Sequence, residues 1–137
     1  MKRVNADDDD VERQGRLFKE KVGPLYTVDS VARLLNRTEQ EVRADIRDRV
    51  LLAIQLADSV TAIPARQFDE NGLPLPGLPE VAATLDPKGT DPLSVALLLF
   101  SRSDYWGGAT TAEVMRAGRL DEVVTAAERI HRSLNGP

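Results

Sequence analysis

A stretch that begins at Arg37 contains side chains whose donors and acceptors match the exposed edges of DNA bases. A guanidinium group can hydrogen-bond guanine through two donors, and a glutamine amide can do the same with adenine. A threonine at a helix N-terminus can hold a phosphate. The candidate DNA-binding residues are therefore three arginines, one glutamine and one threonine: Arg37, Arg43, Arg47, Gln40 and Thr38.

The charge of this stretch allows a second interpretation. Four acidic residues lie among the arginines: Glu39, Glu41, Asp45 and Asp48. They could make the segment an ordinary solvated helix face, with pairs such as Glu39–Arg43. The whole chain carries a net charge of −4, whereas free-standing nucleic-acid binders are usually basic. Only the segment from Val11 to Arg49 has a small basic excess, with nine Lys and Arg residues against seven Asp and Glu residues.

The residue types needed for catalysis or metal binding are scarce. The chain has no cysteine and a single histidine, His131. General base catalysis needs a positioned partner and a metal site needs several ligands. The run Asp7–Asp10 lacks the spacing of a calcium loop, and Gly107-Gly108 is not followed by the Lys-Ser/Thr of a phosphate loop. We therefore expect a non-enzymatic protein with no metal, cofactor or small-molecule substrate.

The elements that must position the candidate residues are two short helices and a hairpin. Thr27 opens the first helix, and Thr38 opens the second with Glu41 three positions later, which is the spacing of a capping box. Apolar runs then predict strands over 50–56 and 60–63, closed by Pro64 and joined by a tip at Asp58-Ser59.

This order resembles the excisionase-like or MerR-like winged helix-turn-helix family. The resemblance lies in Tyr26-Thr-Val-Asp-Ser-Val-Ala-Arg-Leu-Leu, the helix from Thr38 to Ile46, and the segment from Val50 to Pro64. It covers about 40 residues and implies that the second helix enters the major groove. The wing tip departs from a DNA-tracking wing, which would carry Lys or Arg.

The second half of the chain reads as a separate set of helices. Turn-forming residues dominate 67–79, and helices are predicted near 80–85, 92–101, 111–117 and 121–134. Thr110 with Glu113 forms a second capping-box pattern, and Gly118 has the position of a helix C-terminal glycine.

The segment from Trp106 to Gly118, followed by Val123-Val124 and Ala126-Ala127, resembles the toxin-binding domain of Xre/MbcA/ParS-type antitoxins. Thr111 stands where that family usually has proline, and Val114-Met115 where it has leucine. The resemblance implies that this half grips a RES-domain, NAD-degrading toxin and that the chain's last residues reach into the toxin. The implied partner-binding residues are Trp106, Arg116, Arg129, Arg132, Ser133 and Asn135.

The predicted fold is mainly α with a small β-hairpin (α+β), a winged helix-turn-helix followed by a small helical bundle. The predicted organisation is a disordered acidic arm at 1–10, a DNA-binding domain at 11–66, a linker at 67–79 and a helical toxin- or partner-binding domain at 80–137.

The leading functional hypothesis is a homodimeric antitoxin that neutralises such a toxin and represses its own operon through operator DNA. The alternatives are a winged helix-turn-helix repressor or excision factor with no toxin partner, and a pure protein-interaction adaptor. The longest apolar run is Val95–Phe100 and the N-terminus has no hydrophobic stretch, so a cytoplasmic protein with no membrane span is expected.

Overall fold

The computed structural model describes residues 16, 20–56 and 60–135, except for the side chain of Asn135. The predicted acidic arm and the predicted wing tip at Asp58-Ser59 lie outside the described residues. Ahead of Gly23, only Arg16 and the segment Glu20–Val22 are described, and these are helical.

Two helices joined by a tight turn follow as predicted. Helix α1 spans Val28–Leu35 and helix α2 spans Glu39–Arg47. Asn36, with φ of 54°, ends α1 in the left-handed conformation that asparagine tolerates better than most residues. Both ends of the predicted capping box form at the start of α2, since the Glu41 N–H donates to Thr38 Oγ1 (3.0 Å) and the Thr38 N–H donates to the Glu41 carboxylate (2.9 Å).

A small antiparallel sheet flanks the two helices. Its strands are β1 (Leu25–Tyr26), β2 (Ile54–Gln55) and β3 (Thr61–Pro64), in the order β1-β3-β2. The predicted hairpin is therefore present as β2 and β3, but its first strand is two residues long rather than the predicted seven over 50–56. Strand β1, which pairs Leu25 with Pro64 and Tyr26 with Ile63, was not predicted.

Four helices make up the second half, at the places that the sequence predicts. They are α3 (Leu78–Leu85), α4 (Pro92–Phe100), α5 (Thr111–Arg116) and α6 (Leu120–Asn135). Single 3₁₀ turns lie at Ala65–Gln67 and Asp104–Trp106. The predicted fold class is confirmed: the chain is mainly helical with a small three-stranded antiparallel sheet, a winged helix-turn-helix followed by a helical bundle.

Two apolar clusters hold these elements together. The smaller one packs α1 and α2 against the sheet through residues such as Val31, Val42 and Ile63, each fully buried. The larger one lies under α3–α6 and also takes in residues of the first half, including Leu52 and Ile54. The division into two domains at 67–79 stays a prediction; within that range, four side chains are buried: Gln67, Phe68, Leu75 and Leu78.

Candidate nucleic-acid interface

Three polar side chains form a row along the outer face of α2. Gln40, Arg43 and Arg47 are spaced by three and four residues, so they lie above one another on one side of the helix. All three residues are exposed. Within the described ranges, none of the three side chains makes an ion pair or hydrogen bond, and the alternative pair Glu39–Arg43 does not form. The row is therefore available to an external partner.

The buried side of α2 fixes the direction of this row. Val42 is fully buried and Ile46 is partly buried against the smaller core. Because successive residues of a helix are separated by about 100°, burying these two positions turns Gln40, Arg43 and Arg47 toward solvent. The same packing makes α2 a rigid support for the three side chains.

Arg37 is placed differently from the other candidate arginines. Its guanidinium donates to the Asp45 carboxylate and lies 3.8 Å from that of Glu41. These contacts show that Glu41 and Asp45 lie on the side of α2 where Arg37 sits, away from the row. Arg37 is thus charge-compensated within the helix-turn-helix, whereas Arg43 and Arg47 are not.

The N-terminus of α2 is already occupied by its own cap. The Thr38 backbone N–H donates to the Glu41 carboxylate, and this bond, together with the Thr38 side chain and the charge of Arg37, lowers the pKa of Glu41. Glu41 is therefore ionised near neutral pH, and a phosphate at this helix end would meet a carboxylate. The direct role of Thr38 in DNA binding stays a prediction, and its observed role is to start the helix.

The C-terminus of α2 is tied to the second half of the molecule by Arg49. This residue adopts a left-handed conformation, with φ of 64°. Its guanidinium donates to the carbonyl oxygens of Ala82 (3.0 Å) and Asp86 (2.6 Å) and lies 3.7 Å from the Asp86 carboxylate. The bonds reach the last turn of α3 and the residue that follows it. Sequence reasoning missed this role and counted Arg49 only as a charge.

Gln67 fixes the base of the wing, which is the hairpin of β2 and β3. Sequence reasoning missed this role of Gln67 as well. Its side chain is fully buried. The amide oxygen accepts from the Leu52 N–H (2.8 Å), while the amide nitrogen donates to the carbonyls of Leu52 (2.8 Å) and Pro64 (3.0 Å). The Gln67 amide thus makes the hydrogen bonds to Leu52 that a neighbouring strand would otherwise make. This explains why the first strand of the hairpin is shorter than predicted.

The residues predicted to bind a protein partner do not form a single site. Trp106 is partly buried, and its Nε1 donates to Thr111 Oγ1 (3.1 Å). The Tyr105 ring stacks edge-on against it, with centroids 4.6 Å apart. Arg116 lies in a different place, where it donates to the Arg66 carbonyl (2.6 Å) and holds α5 against the turn that follows β3.

Helix α6 carries the remaining predicted partner residues. Arg129 is exposed and borders an apolar groove of about 170 Å³ that Tyr105, Trp106 and Ile130 also line. Arg132 and Ser133 are exposed further along α6. Asn135 ends the helix, and its side chain lies outside the described residues. The structure therefore joins Trp106 and Arg129 at one groove.

The described part of the chain has neither a cluster of metal ligands nor a membrane-spanning helix. No group of three or more His, Asp or Glu side chains in that part is arranged to hold a metal ion. No helix there has the length and apolar character required to cross a bilayer.

Comparisons with known proteins give a likeness of fold. No family model matches the sequence, and no curated protein matches it. Among solved structures, the NMR structure of Rv2175c superposes with a TM-score of 0.66 over 79% of this chain and 81% of that chain. The sequence identity is 24%, so the likeness concerns the fold.

Proposed function

We propose that this chain is a non-catalytic regulator that binds double-stranded DNA with α2 in the major groove. The observation that carries the proposal is the exposed row of Gln40, Arg43 and Arg47 on a capped helix of a winged helix-turn-helix. The fold likeness to the NMR structure of Rv2175c supports the architecture on which the proposal depends.

The spacing of the row suits base reading. Arg47 lies seven positions after Gln40, and at about 1.5 Å per residue this gives roughly 10 Å, close to three base-pair steps of about 3.4 Å. Arg43 at the centre is the best placed to bond guanine with two donors, and Gln40 can bond adenine. Each such bidentate contact discriminates against a wrong base by about 1–3 kcal/mol.

The chain acts as a homodimer in this proposal. Two copies would set two α2 helices on half-sites about 34 Å apart, one turn of the duplex. Binding of this kind at the chain's own promoter would repress its operon. The expected operator is therefore an inverted repeat, and size-exclusion chromatography with light scattering measures whether the dimer exists without DNA.

The experiment measures binding of the purified chain to its own upstream DNA by fluorescence anisotropy at 50 mM salt. Replacing Arg43 with Ala should weaken binding by about 1–3 kcal/mol, which is roughly 5- to 150-fold, and reduce discrimination between operator and scrambled DNA. Arg33→Ala is the matched control, because Arg33 is an exposed arginine of α1 that pairs with Asp29. Absence of binding at low salt, or equal loss in both variants, would contradict DNA reading by α2 and favour a protein-interaction adaptor.

A second candidate function is neutralisation of a RES-type, NAD-degrading toxin. The observation that favours it is the apolar groove lined by Trp106 and the exposed Tyr105 (63% exposed). Leu134 (80% exposed) lies about one turn of α6 beyond Ile130, which lines the groove. Exposed large apolar side chains beside a groove are typical of protein contacts. If the chain is an antitoxin, the toxin occupies this groove. If it is a regulator without a toxin partner, no toxin binds there.

Co-expression with the adjacent reading frame tests the antitoxin function. The chain should rescue growth if the neighbour is toxic, and Arg129→Glu should lose the rescue while DNA binding is retained. Arg33→Glu, which reverses a charge on α1, is the control. Full rescue by the Arg129 variant, or a neighbour without toxicity, would leave the repressor or excision-factor function.

A further inference from the structure

A cationic side chain from the second half lies beside the end of the α2 row. Arg47, the last residue of α2, lines a cleft of about 470 Å³. Gln55 of β2 lines the same cleft, and Lys88, in the loop between α3 and α4, lines it as well. The cleft therefore places Lys88 near the Arg47 end of the row.

The loop that carries Lys88 is held in place by hydrogen bonds. The Asp86 carboxylate accepts from the backbone N–H groups of Thr90 (3.0 Å) and Asp91 (2.9 Å). The Gly89 N–H donates to the Asp86 carbonyl (3.0 Å), and Gly89 takes φ of 69°, which glycine adopts without strain. Lys88 thus projects from a loop that has a defined shape.

Arg49 fixes this loop relative to α2. It follows the C-terminus of α2 by two positions and donates to the Asp86 carbonyl at 2.6 Å. The Asp86 carboxylate is buried and compensated by Arg49 and by the loop N–H groups. It is therefore not available to neutralise Lys88, and the backbone of the loop that carries Lys88 is held next to the end of α2.

The charge at the rim of the cleft has no internal compensation. Lys88 and Arg47 are exposed, and neither makes an ion pair within the described ranges. In a chain of net charge −4, two such cations that line one cleft form a local positive surface. An anion whose position is fixed relative to the base edges, namely a phosphate of the DNA backbone, matches this arrangement.

We infer that Lys88 is a second DNA contact, which binds a backbone phosphate on the strand that borders the groove occupied by α2. The inference rests on the proposed function and extends it, because it gives the second half of the chain a part in DNA binding. Arg43 and Gln40 read bases, whereas Lys88 sets the register of α2 on the duplex without reading sequence.

The salt dependence of binding tests the inference. Each phosphate contact contributes about 0.9 to the slope of log K against log salt. Lys88→Gln should therefore reduce that slope by about 0.9, so the ratio of wild-type to variant affinity should change about 3.5-fold between 50 and 200 mM salt. Operator and scrambled DNA should be affected equally. Lys21→Gln is the matched control, because Lys21 is an exposed lysine that lines a different cleft.

The outcomes separate this inference from the proposed function. A Lys88→Gln variant with wild-type slope, alongside an Arg43→Ala variant that loses discrimination, overturns the inference and leaves the proposed function standing. An equal change of slope in Lys21→Gln shows a general charge effect and also overturns the inference. If the wild-type chain binds no DNA at 50 mM salt, both fail.

Discussion

Replacement of Gln67 by leucine should destabilise the chain strongly, although the two side chains have similar size. Gln67 is fully buried and makes three hydrogen bonds to the backbone of Leu52 and Pro64. Each hydrogen bond contributes about 1 kcal/mol net, and leaving a buried N–H without a partner costs about 1–3 kcal/mol. Burial of the more apolar leucine side chain offsets part of this sum, so the expected loss in the free energy of unfolding is about 3–4 kcal/mol, a large part of the roughly 5–15 kcal/mol of a typical domain.

Urea unfolding followed by circular dichroism measures this loss. With a denaturant slope of about 2 kcal/mol per molar, the midpoint should fall by roughly 1.5–2 M. The control is Gln55→Leu, because Gln55 is exposed and bonds only the Thr61 hydroxyl among the described residues; its expected change is within about 0.5 kcal/mol. A Gln67→Leu variant as stable as the Gln55→Leu variant would refute the assignment of Gln67 as the support of the wing.

Two further predictions concern the acid stability of α2 and the packing of α3 on α6. Because the pKa of Glu41 is lowered from 4.5 in the folded chain, its carboxylate stabilises the fold above pH 4.5, and this contribution is lost as the pH falls through the lower folded value. The melting temperature, measured between pH 3 and pH 7, should therefore decrease less steeply toward acid pH in Glu41→Gln than in the wild type. Parallel curves of melting temperature against pH would contradict this. Gly77→Ala should lower the free energy of unfolding by roughly 2–4 kcal/mol, because Gly77 has φ of 81° and an added Cβ would lie 2.4 Å from Leu120 Cδ1. Gly118→Ala, with φ of 84° and nothing within 4 Å, should cost only the backbone strain of about 1–2 kcal/mol, and equal melting temperatures for the two variants would show that contact with Leu120 is unimportant.

The helix starts were predictable because the interactions that define them are local. The pairs Thr38 with Glu41 and Thr110 with Glu113 are three residues apart, and both form complete capping boxes. A capping box needs no partner from elsewhere in the chain. The starts of α2 and α5 could therefore be given from the sequence.

The supports of the site were not predictable because their partners are distant in the sequence. Gln67 bonds Leu52 across 15 positions, and Arg49 bonds Asp86 across 37. In a sequence, both residues look like ordinary polar residues of a turn or a helix end. Strand β1 escaped prediction for the same reason, since it has two residues and exists through its pairing with β3.

The candidate DNA-binding residues were predictable in part. The three-and-four spacing of Gln40, Arg43 and Arg47 is a property of the sequence, and the structure leaves all three exposed. The ion pair of Arg37 with Asp45 joins residues eight positions apart. It depends on how the turn between α1 and α2 folds back, so the spacing of the sequence did not predict it. Whether the row contacts DNA stays a prediction.

The near-neutral charge of α2 is compatible with DNA binding because two of its three acidic residues are engaged by other residues, while Glu39 stays exposed. Glu41 is used in the helix cap, and Asp45 is paired with Arg37, so both carboxylates are committed inside the helix-turn-helix. Arg43 and Arg47 keep their charge on the opposite, exposed surface. A surface with so few free cations provides little sequence-independent attraction, since non-specific affinity grows with the number of phosphate contacts. Binding by such a helix would therefore depend mainly on base contacts and on the joint action of two copies, which favours selective operator binding over general binding to DNA.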